Sequence, residues 1–117
     1  MEFKDRLAAY FAEQALWRDH KAEEYPDDVR NERSADGLRA LAEHVRKLPA
    51  TDERLTLLAI LDPLDVDDIA PFMPGEEGGR LASQFRFHDP NEDMDTFLEA
   101  FIAACARDRE DSVEDLE

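Results

Sequence analysis

The chain has 117 residues, with 30 Asp and Glu against 14 Lys and Arg, a formal net charge of −16 and a pI near 4.4. At that length one domain is expected, because two cores this small could not each offset chain entropy. No apolar run approaches the roughly 20 residues that span a bilayer, and the negative charge opposes direct binding to DNA, RNA or anionic lipid.

Residues 3–24 read as a helix, with Phe3, Leu7, Tyr10, Phe11, Gln14 and Trp17 at three- and four-residue steps and Ala8, Ala12, Ala15 and Leu16 widening the apolar side. That spacing predicts a core position for Trp17. Tyr25-Pro26 should end the helix, because proline disfavours the α region at the residue before it. Asp27-Asp28 can cap a second helix running to about Leu48, with Leu38, Leu41, Ala42, Val45 and Leu48 as its stripe and a weak point at Gly37. Thr51 or Asp52 can cap a third over Glu53–Leu61. Its run from Leu55 to Leu61 is apolar on nearly all sides, which predicts the buried centre of the fold.

Leu64–Ala70 reads as one short helical turn capped by Asp65, and Pro71-Phe72-Met73-Pro74-Gly75 as a loop. Glu76–Phe87 reads as a short helix burying Leu81, Ala82 and Phe85. The last helix has the clearest pattern, Met94, Phe97, Leu98, Phe101, Ile102 and Cys105 along one face. The segment from Arg107 holds six acids and two Arg without a stripe, so it reads as a fraying acidic tail. The predicted fold is all-α: a single-domain bundle of five or six helices over residues 1–106, with a tail over 107–117.

The charge is uneven. Residues 1–58 hold 13 acidic and 10 basic residues, a net of −3, whereas residues 59–117 hold 17 and 4, a net of −13. Met1-Glu2-Phe3-Lys4-Asp5 lacks a basic segment leading into an apolar one, so no secretory signal is read there. Cys105, the single cysteine, cannot close an internal disulfide, and a reducing cytoplasm is the expected setting.

No catalytic constellation stands out, and an enzyme is not expected. Cys105 continues a buried stripe, where a thiol acts as a small apolar group. His44 reads as a surface histidine. Asp89, Asn91, Asp93 and Asp95 fall at positions 1, 3, 5 and 7 of a calcium loop. Met94 stands where glycine is needed and Ala100 where glutamate is needed, so helix capping by Asn91 or Asp93 is the better reading. Gly75–Arg80 resembles a phosphate cradle, but Glu76 and Glu77 would repel phosphate, and it reads as a turn. His20 and Glu24, one helical turn apart, are weak metal-ligand candidates, and no cofactor is expected.

These observations point to a small acidic cytoplasmic interaction or regulatory module that docks a protein with a basic face, in its sharper form as a nucleic-acid mimic inhibitor. The expected contact residues are Asp65, Asp67, Asp68, Phe72, Met73, Glu76, Glu77, Glu92, Asp93 and Asp95, with Phe72 and Met73 supplying apolar contact unless they fold back as a plug. One rival is a small-molecule or metal-binding bundle with an internal site lined by His20, Glu24, Tyr25 and His88. A second is a structural homodimer formed through the wide aromatic face of the first helix.

Overall fold

A computed structural model describes residues 2–61 and 71–114, with side chains through residue 110. Among these residues the chain is all-α: α1 (Phe3–Glu24), α2 (Val29–Lys47), α3 (Glu53–Ile60), α4 (Glu76–Ser83) and α5 (Met94–Glu114). No described helix is long and apolar enough to cross a membrane. The turn expected over Leu64–Ala70, with its Asp65 cap, lies outside the described residues.

The helix starts follow local chemistry. The Asp28 carboxylate accepts from the Arg30 N–H and caps α2, and Asp52 does the same for α3 through the Arg54 N–H at 2.9 Å. Asp93 caps α5, accepting from the N–H and hydroxyl of Thr96. α1 and α2 pack along each other most extensively, and α5 packs against α3 and α4.

The core is an aromatic chain. Phe3, Tyr10, Phe11, Phe72, Phe85, Phe97 and Phe101 link ring to ring with centroids 4.7–6.3 Å apart. Leu7, Leu38, Leu41, Val45, Leu58 and Leu98 fill the space around it. Edge-on and offset ring pairs of this kind each add about 0.5–1.5 kcal/mol to the burial of their surface.

Three expectations change. Trp17 is not in the core: it is 44% exposed, and Leu16 is exposed beside it. The register that buries Leu7, Phe11 and Ala15 brings Arg18 inward at the next turn. Arg18 can be buried there because it has acceptors, with Nε 2.6 Å from the Ser83 carbonyl and Nη1 2.9 Å from Asn31 Oδ1. α3 is not the buried centre either. It lies at the periphery with only Leu55 and Leu58 inward, while Leu57 and Ile60 are exposed, since a short outer helix has one face to cover.

α4 also ends four residues early, at Ser83, where the chain passes into turns closed by the Phe85 N–H to Ala82 O and the Phe87 N–H to Gln84 O. Ser34 Oγ donates to Phe85 O, and Arg33 donates to Arg86 O and Phe87 O. Arg86 turns the chain with φ of 56°, and its Nε donates to Glu92 O. Gly37 interrupts nothing in α2 and has a packing role: a Cβ there would lie 2.8 Å from Arg86 Cδ. At the other end of the chain, α5 continues to Glu114 and includes Arg107, Asp108 and Arg109.

Candidate functional site

The loop from Pro71 to Gly75 is built around Phe72. This side chain is completely buried against Phe3, Tyr10 and Phe101, and its N–H donates to the Arg6 carbonyl at 3.1 Å. Phe72 is therefore a core plug and not a partner contact, a correction with a plain cause: its ring completes the aromatic chain. Anchoring Phe72 leaves Met73 49% exposed, immediately before the acidic first turn of α4.

The expected carboxylates divide by duty. Glu76 pairs with Arg80 at 3.0 Å, and Glu77 with Arg107 at 2.6 Å, both on exposed surface. Glu92 accepts from the Arg86 N–H, Asp93 caps α5, and Asp95 accepts from Arg54 at 2.6 Å and from His44 at 3.0 Å. The Arg54 hydrogen bond, then the His44 one, holds the Asp95 carboxyl below its ordinary range. Asp95 thus ties α2 and α3 to the start of α5, whereas Glu92 fixes the turn at Arg86 and Asp93 caps its own helix. Asp65, Asp67 and Asp68 lie outside the described residues.

The resemblance to a calcium loop dissolves in the same way, because Asp89 turns back to accept from the Asn91 N–H while Asp93 and Asp95 serve different elements. Gly75–Arg80 is not a free turn: helix begins at Glu76, with Gly78 and Gly79 inside it. The N–H groups that a phosphate would need at Glu77 and Gly78 are occupied by the two oxygens of Asp108, each at 2.9 Å. Asp108 is a cap supplied from α5, 30 residues away, where no local motif announces it.

His20, Glu24, Tyr25 and His88 are all exposed at the surface, so they do not line an internal site. Glu24 pairs with Lys21 at 3.0 Å. Among the described residues, no group of three or more His, Cys, Asp and Glu could hold a metal. Cys105 is buried, and burial first, with Asp108 second, pushes its thiol up to about 12, which keeps it protonated and unreactive at neutral pH. The Tyr10 hydroxyl is raised chiefly by burial as well.

Sequence reasoning missed the corner where α1 meets α2. The Arg18 guanidinium lies 4.7 Å from the Trp17 ring and 4.2 Å from the Phe87 ring, and Arg30 stacks 4.6 Å from Phe87. Lys21 Nζ lies 5.7 Å from the Trp17 ring and 5.9 Å from the Tyr25 ring. The available signal was the four-residue spacing of Trp17, Lys21 and Tyr25 at the end of the first helix. No family model matches the chain, and neither a curated protein nor a solved structure matches it significantly.

Proposed function

We propose that this protein is a binding module that docks a protein with a basic face, using the strip from Met73 to Glu77 as the contact. The observation that carries the reading is the anchored loop. Phe72 is fixed in the core, and that fixes an exposed Met73 next to Glu76 and Glu77 on a rigid helix start. A thioether is an adaptable apolar contact, and exposed ion pairs such as Glu76–Arg80 and Glu77–Arg107 exchange partners at little cost, since each is worth about 0–1 kcal/mol.

Long-range attraction comes from the acid excess. Glu13, Glu23, Asp27, Glu32, Glu53, Glu99 and Glu110 are exposed carboxylates on the described surface. Asp65, Asp67 and Asp68 add three charges shortly before the strip in sequence. A field of this sign raises the association rate with a cationic surface and weakens as salt screens it.

The test is capture from the native lysate with wild-type bait beside a Met73→Ser, Glu76→Gln, Glu77→Gln bait, both eluted by a salt gradient. One stoichiometric basic protein, released at moderate salt and not retained by the triple variant, is the expected result. Equal retention by both baits would show that the strip is not the contact.

A further inference from the structure

We propose that Trp17 and Tyr25 form a surface clamp for a lysine side chain of the partner protein, and that in the free protein the chain's own Lys21 occupies it. The inference rests on the basic-partner reading above and assigns a second, separate contact. Trp17 and Lys21 lie on the last turns of α1 and Tyr25 is its C-cap residue, and the Lys21 ammonium lies 5.7 Å from one ring and 5.9 Å from the other. Both rings are accessible, at 44% and 57% exposure, where a core aromatic would be covered. An ammonium within about 6 Å of a ring centroid is held by the ring quadrupole, with Trp the strongest partner.

The surroundings select for a cation. The α1 C-terminus contributes the negative end of its dipole. Glu24 holds the same Lys21 ammonium at 3.0 Å. Beside it, Glu24, Tyr25, Pro26, Asp27 and Asp28 line an open cleft of about 470 Å³. Asp28 is committed to Arg30, which leaves Glu24 and Asp27 facing an incoming charge. Exchange is like for like: a partner lysine takes the place between the rings and at Glu24, and Lys21 moves into solvent with its charge hydrated. Glu24 is paired before and after the exchange, so the resident lysine sets a threshold that a partner must exceed.

Trp17 is the single tryptophan, so its emission reports this site directly. The probe is a pentalysine peptide at 150 mM salt, titrated into wild type, Lys21→Met, Lys47→Met and Tyr25→Ala. Lys47 is exposed on α2, so Lys47→Met matches the charge change of Lys21→Met away from the clamp. The expected result is a saturating emission change that is about two- to fivefold tighter in Lys21→Met than in Lys47→Met, and at least about twofold weaker in Tyr25→Ala than in wild type. Equal affinities in the two lysine variants, an unchanged Tyr25→Ala, or no emission change would overturn the clamp. Failure here, with lysate capture still dependent on Glu76 and Glu77, removes the clamp alone. A clamp that binds pentalysine while a basic protein is captured equally by the wild-type and triple-variant baits removes the docking strip alone.

Discussion

Replacing Asp108 by alanine removes a helix cap that comes from another helix. Its two oxygens accept from the N–H groups of Glu77 and Gly78, and Gly75, at the N-cap position of α4, has no side chain to substitute for them. Loss of an N-cap acceptor costs about 0.5–2 kcal/mol, and loss of a carboxylate at the positive end of a helix adds about 0.3–1 kcal/mol. The sum, about 1–3 kcal/mol, corresponds to a fall in Tm of roughly 4–15 °C for a domain of this size. Asp108→Asn keeps one acceptor and should fall between alanine and wild type.

Thermal and urea unfolding measure the stability change, and amide exchange at Glu77 and Gly78 places it. Glu110→Ala is the control, an exposed carboxylate on the same helix expected to lie within about 0.5 kcal/mol of wild type. If Asp108→Ala were no more destabilised than Glu110→Ala, with unchanged exchange at the start of α4, the reasoning would be refuted.

Other outcomes follow from the packing and the titrating groups. Phe72→Ala should lose about 3–5 kcal/mol because the ring is wholly buried, whereas Met73→Ser should stay within about 0.5 kcal/mol; urea denaturation separates the two. Cys105 should resist a disulfide reagent at pH 8 until denaturant is added. Its burial also makes stability fall as pH rises from 9.0 toward about 12, where the unfolded thiol has ionised and the folded one has not; Cys105→Ala should reduce that slope, with the buried Tyr10 hydroxyl keeping the rest. At the acid end, hydrogen bonds from Arg30 lower Asp28 to about 2, and those from Arg54 lower Asp52 and Asp95. Below 3.8 the unfolded chain binds more protons than the folded one, so stability should hold down to about pH 4 and fall toward pH 2, as read by circular dichroism melts.

Much of the fold is written in local periodicity. The stripe on α5 and the Leu38–Val45 stripe on α2 need only the 3.6-residue repeat to be read, and the caps at Asp28, Asp52 and Asp93 act within three residues of themselves. What escaped the sequence is non-local. Trp17 lies outside because Arg18 finds acceptors at Ser83 and Asn31, and those are 65 and 13 residues away. The turn that follows Ser83 is fixed by Arg33 and Ser34, distant in sequence, which donate to the carbonyls of Arg86, Phe87 and Phe85. Asp108 reads as one more tail acid until α4 is brought against it.

The same limit applies to the contact surface. Asp93 and Asp95 look equivalent to Glu76 and Glu77 in a charge count, but they are a cap and a shared ion-pair acceptor. Only three-dimensional neighbours separate structural carboxylates from those available to a partner.

The central claim, that a local strip and not bulk acidity engages a basic partner, is tested most directly with two baits of equal net charge. Glu76→Gln, Glu77→Gln alters the strip, and Glu32→Gln, Glu53→Gln alters exposed carboxylates on α2 and α3, away from it. Partner retention at fixed salt should be lost with the first bait and kept with the second. Equal retention by both would contradict it and assign the attraction to net charge alone.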